Sequence, residues 1–236
     1  MDFQVFFGYL LTPSLRIPIG LVLAYLGALV GSAELLSRKN HLTPELTRKI
    51  VHIGSGNVIL LAWWLEIPME IGVAAAIIAG FVALSSYFLP ILPSVNSVGR
   101  QSLGTFFYAL SMGILIAGFW SIQQPYFAVL GILVMAWGDG LAAVIGSKFG
   151  KHPYQILGNK KSIEGTTTML LVSFIISSLI LLNTNIAWEQ QVGISLLVAI
   201  AATALESFAQ FGIDNLLVPL GSAAIAFYLS QYFLAI

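Results

Sequence analysis

Charge is scarce in this chain. Only 8% of its 236 residues are Asp, Glu, Lys or Arg, against about 25% in an ordinary soluble domain. Hydrophobic residues make up 58%, and the mean hydropathy is +0.93. A chain of this composition cannot cover a globule with polar surface, so a water-soluble fold is excluded. Cysteine is absent, which rules out disulfides, thiol catalysis and thiolate metal sites. The three histidines, His41, His52 and His152, show no ligand spacing, and a protein zinc site is not expected. The formal net charge is zero, so no nucleic-acid partner is expected. Residues 3–11 are apolar but short, with no basic flank and no small-residue cleavage site. They read as an interfacial helix or the lead-in to a first span rather than a cleavable leader. No polar stretch is long enough for a soluble domain, so residues 1–236 read as one integral-membrane domain.

A spanning helix needs about 20 mainly apolar residues. Stretches of that kind run over residues 17–36, 50–65, 69–89, 103–121, 125–145, 166–182, 192–208 and 216–235. The expected fold is an all-α, polytopic transmembrane helical bundle of about seven or eight spans, with 50–65 the shortest. Basic residues favour the cytoplasmic side. Arg38, Lys39, Arg48 and Lys49 follow the first span, Arg100 the third, and Lys148, Lys151, Lys160 and Lys161 the fifth. The alternate loops carry no Lys or Arg, and only Arg16 stands apart. An eight-span reading therefore places residues 37–49, 93–102, 147–165 and 209–215 together on the cytoplasmic face.

Four segments of that face carry chemistry. In the first, Asp139 sits inside an apolar run, where a carboxylate costs about 2.5–3.5 kcal/mol unless paired or hydrated. Gly138, Ala142, Gly146 and Gly150 recur at every fourth position around it, a stripe that admits a ligand or another helix closely. Either Asp139 holds Mg²⁺, which prefers carboxylate and phosphate oxygens, or it pairs with a basic residue while the stripe packs helices. In the second, Lys160 and Lys161 precede Ser162, Glu164, Gly165 and Thr166. Lysines neutralise phosphate oxygens, and small residues at a helix start favour anions, so these residues and Lys151 are candidate nucleotide ligands. The alternative is a basic juxtamembrane loop with a capping Ser162 or Thr166. The third holds Glu206, Asp214 and Asn215, which suit metal ligands or a general base for a hydroxyl, or a turn that caps the last helix. The fourth holds Arg48, Lys49, His52 and Asn57; the cations serve topology or phosphate, while His52 and Asn57 place polar groups within the membrane.

Arg48-Lys49-x-x-His52, Gly138-Asp139-Gly140-x-Ala142-Ala143-x-x-Gly146-x-x-x-Gly150-Lys151, Lys161-Ser162-x-Glu164-Gly165-Thr166 and Glu206…Asp214-Asn215-x-x-x-Pro219 together resemble the phytol kinase and dolichol kinase family. The likeness covers about three quarters of the chain and is strongest toward the phytol kinases. It implies phosphorylation of phytol, or a related prenol such as farnesol or geranylgeraniol, with CTP as the characteristic donor. Phe149-Gly150-Lys151 and residues 160–165 also resemble membrane phosphatidate cytidylyltransferases, but the His-Gly-Gly-x-x-Asp-Arg-x-Asp signature of those enzymes is replaced here by Gly212-Ile213-Asp214-Asn215.

The expected chemistry is phosphoryl transfer, in which the protein mainly positions reactants and offsets charge. Asp139, with Glu206 or Asp214, is expected to hold Mg²⁺. Lys160, Lys161 and Lys49 are expected to face phosphate, with Arg48, His52, Gly138, Gly146 and Asn215 in the nucleotide site. Asp214 or Glu206 is expected to orient the lipid hydroxyl and take its proton. The expected partners are a nucleotide, a prenol and the bilayer; no oligomeric state follows. A transporter would instead use Asp139 and Glu206 as an ion pathway. Transport sites lie near the midplane and often on inverted repeats, whereas these residues cluster at span ends and no repeat is visible.

Overall fold

The computed structural model describes residues 13–38, 43–88 and 103–235. The stretch 3–11, Lys39, His41, and the segment 93–102 with Arg100 lie outside the described residues. In chain order the helices are α1 (Pro13–Arg38), α2 (Pro44–Gly56), α3 (Val58–Trp64), α4 (Met69–Phe88), α5 (Gly104–Ser121), α6 (Pro125–Leu133), a π-helical segment (Val134–Asp139), α7 (Gly140–Phe149), α8 (Ile163–Leu181), α9 (Trp188–Phe208) and α10 (Asp214–Leu234). Strands β1 (Pro153–Ile156) and β2 (Asn159–Ser162) lie between α7 and α8. Among the described residues, seven helical stretches are long and apolar enough to cross a membrane, with α6, the π segment and α7 forming one continuous pass. The protein is an all-α, multi-pass membrane bundle.

The span expected over residues 50–65 is built from two short helices, α2 and α3, and is not among those seven. At one end of it Lys49 reaches Asp139; at the other, Ile67 O accepts from Trp120 Nε1 at 3.1 Å. These contacts define a near end and a far end of the bundle, and α2 and α3 together run from one to the other. The helix begins at Pro44, six residues before the apolar run. Thr43 caps it by accepting the Leu46 N–H, Pro44 occupies the first turn and Glu45 follows, all favourable at a helix start. The pass is interrupted at Asn57, whose N–H falls back to Gly54 O at 3.1 Å. Gly56 sits at the break, where a Cβ would stand 2.4 Å from both the Tyr108 hydroxyl and the Ala136 Cβ. Only a glycine lets α2 approach that closely.

The α6–π–α7 pass is central and is the most buried of the seven. Phe127, Leu130, Ile132, Val134 and Met135 are fully enclosed there. The stripe read in the sequence packs this pass on α8. A Cβ at Gly138 would meet Met169 Sδ at 2.6 Å, and one at Gly165 would meet Ala142 O at 2.9 Å. Gly146 lies against Ser162 and Gly165.

The loop expected over residues 147–165 contains a two-stranded antiparallel hairpin, with Pro153 opposite Ser162 and Ile156 opposite Asn159. Its tip is tied to the α9–α10 corner: Asn159 Nδ2 donates to Ala209 O at 3.1 Å, and Gln210 Nε2 to Leu157 O at 2.6 Å.

Candidate active site

Asp139 is the last residue of the π-helical segment. Such wide turns admit one more residue than an α-turn and recur at functional sites. Its carboxylate is buried and accepts from Lys49 Nζ at 2.6 Å. His52, one turn along α2, brings Nε2 to 3.6 Å from the same oxygen. The imidazole stacks at 4.6 Å on the ring of Tyr108 from α5. Two charges leave water at a cost of several kcal/mol each, recovered only where the pair is well formed; here one α2 turn supplies both neighbours of the carboxylate.

A second pair stands on the other side of α7. Lys161 Nζ reaches the Glu206 carboxylate and donates to Glu206 O at 2.8 Å. The pair joins β2 to the end of α9, and both side chains are largely enclosed. Asp214, at the start of α10, forms no ion pair among the described residues; its Oδ1 accepts from Asn215 Nδ2 at 3.1 Å. Asp139 lies close enough for its charge to act on both Glu206 and Asp214, and Lys49 and Lys161 lie close enough to act on Asp214. These five groups from α2, the π segment, β2, α9 and α10 form one ionic cluster at the near end.

The remaining candidates divide by what they touch. Lys160 and Lys161 are neighbours on a strand, and successive strand side chains point to opposite faces. Lys161 turns into the cluster while Lys160 is exposed, so the two lysines do not face one phosphate together. Ser162 caps α8 by accepting the Gly165 N–H at 3.2 Å. Glu164 accepts the backbone N–H of Lys151 at 3.1 Å and bonds His152 Nδ1 at 2.7 Å. It therefore shapes the turn out of α7 instead of reaching the cluster. Thr166 meets the Tyr154 hydroxyl. Asn215 Nδ2 also donates to Gly212 O, holding the corner before α10. Gly138, Gly146 and Gly165 serve helix packing. Arg48 lies 4.0 Å from Glu45 on its own helix, and Lys151 is exposed.

Compared with known proteins, the chain is 55% identical over 212 residues to the phytol kinase of Synechocystis sp., across 90% of this chain and 91% of that protein. It is 33% identical over 251 residues to phytol kinase 1, chloroplastic, of Arabidopsis thaliana, across 93% and 78% respectively. With the probable phytol kinase, chloroplastic, of Triticum aestivum it shares 29% over 231 residues, across 89% and 75%. The chain belongs to the phytol kinase family. No family model and no solved structure matches it.

The protein is thus a membrane-embedded kinase, and two parts of this phytol kinase family member were not visible in its sequence. Tyr108 lies in an apolar run with nothing nearby to mark it, yet its ring covers His52. Tyr25, Asn57 and Trp137 form a chain across three passes: Tyr25 OH donates to Gly54 O at 2.8 Å, and Trp137 Nε1 to Asn57 Oδ1 at 2.8 Å. Asn57 Nδ2 lies 3.5 Å from the Tyr25 hydroxyl. This chain of contacts fixes α2 against the π segment two residues before Asp139. Asn57 stands out in the sequence as a polar group within a span, but its partners come from residues 32 and 80 positions away.

Proposed function

We propose that the protein transfers the γ-phosphoryl group of CTP to the hydroxyl of phytol, or of a related prenol such as farnesol or geranylgeraniol, at the cytoplasmic face of the membrane. The observation that carries this reading is the near-end cluster of two lysine–carboxylate pairs and a third carboxylate, Asp214, that forms no ion pair among the described residues. The similarity to the phytol kinases of Synechocystis sp. and Arabidopsis thaliana supports the acceptor. The basic residues on the near-end segments support a cytoplasmic orientation.

Phosphoryl transfer asks for positive charge around the transferring group and for a positioned nucleophile. Lys49 and Lys161 supply the charge, each held ready by a carboxylate. Mg²⁺ is usually held by one or two carboxylates plus substrate phosphates rather than by an all-protein cage. Among the described residues no group of three His, Asp or Glu side chains is placed to hold a metal; an ion here would take carboxylate oxygens from Asp139 and Glu206 and its other ligands from the phosphates. Bound there, Mg²⁺ would neutralise charge on the phosphates. Asp214 orients the alcohol and accepts its proton as the oxygen attacks the γ-phosphorus and the bond to the β-phosphate breaks, leaving CDP. A prenol needs no more than its hydroxyl at this level, with its tail in the bilayer.

The test uses purified protein in lipid vesicles with Mg²⁺, phytol, and CTP labelled either at the γ-phosphorus or in the cytosine. Label from the γ-position should appear in phytyl phosphate while the cytosine label stays in CDP. Cytosine label in the lipid product would mean nucleotidyl transfer and overturn the reading.

A further inference from the structure

The pass that carries Asp139 is enclosed almost everywhere. From Phe127 to Gly140 every residue is buried except Trp137, which stands two positions before the carboxylate and is 37% exposed. Helices α2 and α8 both pack on the π segment, and the indole links them. Its Nε1 donates to Asn57 Oδ1 at 2.8 Å, at the break between α2 and α3, while its ring lines a groove along α8. That groove, of about 210 Å³, is formed by Leu133 and Trp137 on the central pass and by Val172, Ile175 and Ile176 on α8. Positions three and four apart on a helix share a face, so two apolar faces make its walls. With the indole N–H already bonded, no side chain in the lining has a polar group to offer.

The depth of the groove follows from the helix it runs along. Gly138 lies against Met169 and Ser173, and α8 starts at Ile163. At 1.5 Å per residue, Met169 is about 9 Å along α8, and Val172 to Ile176 are about 14–20 Å along it. The groove therefore runs from just below the Asp139 level toward the bilayer midplane, about 15 Å from either edge of the hydrocarbon. Ile175 and Trp137 are exposed, so it opens sideways to lipid. Its occupant is hydrocarbon that arrives from the bilayer. A phospholipid keeps its charged headgroup at the surface, because charge is costly at this depth. An alcohol has only a hydroxyl to bring down to the carboxylate. Lipid tails are as apolar as the lining, so the position of that hydroxyl, not hydrophobic transfer, separates the two.

We propose, on the reading of the protein as a prenol kinase, that this groove seats the hydrocarbon tail of the lipid alcohol, with Trp137 the point where the tail lies against the pass that carries Asp139. A pocket for a whole small molecule measures about 300–1,000 Å³. The smaller groove holds the part of the tail nearest the hydroxyl, and the rest runs out into the bilayer. Discrimination then falls on the shape of the chain near the hydroxyl and not on its length.

The probe is phytol bearing a photoreactive diazirine near the hydroxyl end of its tail, photolysed with the full protein in phosphatidylcholine vesicles. Phosphatidylcholine bearing the diazirine midway along one acyl chain, at the same abundance, is the reference. Mass mapping should find residues 133–137 and 172–176 labelled by the phytol probe about tenfold more than by the reference, and excess phytol should displace that label. Equal labelling, or label that phytol does not displace, would mean that bulk acyl chains fill the groove and would overturn the proposal. Labelling needs no nucleotide, so a protein that makes phytyl phosphate yet labels equally with both probes would lose the tail site and keep the kinase reading. Ile175→Trp supplies the second measurement, because it adds bulk to the groove from an exposed position. Tm and nucleotide KM should hold, while KM for phytol rises about tenfold or more. A folded Ile175→Trp protein with the parent KM for phytol would also overturn the proposal.

Discussion

At the far end of the bundle the charged residues Glu66, Glu70 and Glu189 are exposed, and the side-chain hydrogen bonds that join its segments are between neutral groups. Trp120 Nε1 donates to Ile67 O at 3.1 Å, Gln191 Nε2 to Ile186 O at 2.8 Å, and Gln231 Nε2 to Gln124 Oε1 at 3.2 Å. At the near end they are charged: Lys49 on Asp139, Lys161 on Glu206, and Asp214 within their field. Amide and indole bonds of the first kind satisfy groups that have nowhere else to bond inside a membrane, and they fix the ends of passes. Lysine–carboxylate pairs are costly to bury and have alternatives, since a phosphate competes for the ammonium and a cation for the carboxylate. Under the proposed function, one end is built to hold and the other to exchange partners.

Substitutions at the two ends should therefore differ in kind. Lys161→Met leaves Glu206 enclosed without a cation, and breaking such a pair costs about 3–5 kcal/mol, with a fall in kinase rate of about 100-fold or more. Adding Glu206→Gln should return much of the Tm and none of the rate. If the double variant recovered both, the pair would be structural and the contrast between the ends would fail. Gly165→Val tests the scaffold between them. Its Cβ would meet Ala142 O at 2.9 Å, and overpacking of this kind costs about 1–3 kcal/mol, read as a lower Tm in detergent. Gln191→Leu at the far end removes the bond to Ile186 O for about 1 kcal/mol, with kcat and KM unchanged. Lys160→Ala, on the outer face of the hairpin, should move stability by less than about 0.5 kcal/mol. Nucleotide KM should also hold, and a large rise in KM there would contradict the division of the two lysines between faces.

The spans and the clustering of charge at one end were legible because membrane insertion imposes both on composition. The start of α2 was legible in principle, since Thr43, Pro44 and Glu45 form a helix-start pattern, but a search for apolar runs passes over a capped polar turn. The break at Asn57 was not, because it depends on Tyr25 and Trp137 from distant passes. Nor was the separation of Lys160 from Lys161: four-residue strands are too short for alternation to declare itself, and adjacent lysines read as a single charge. Glu164, Ser162 and Asn215 fit a nucleotide site by residue type, yet each is bonded to nearby backbone, as turn and cap residues often are. The apolar stripe was read as open to a ligand or a helix, and residue spacing alone does not choose between them; α8 fills it.

The central claim is that the near-end carboxylates perform the chemistry. Asp139→Asn alone would leave Lys49 buried without its partner, so the informative variant joins it to Lys49→Met and leaves no unpaired charge. The measurement is the initial rate of phytyl phosphate formation by this folded double variant in vesicles, at saturating CTP and Mg²⁺. The account expects a rate lower by about 100-fold or more, with thermal stability near that of the parent protein. A folded variant that phosphorylates phytol at close to the parent rate would contradict it.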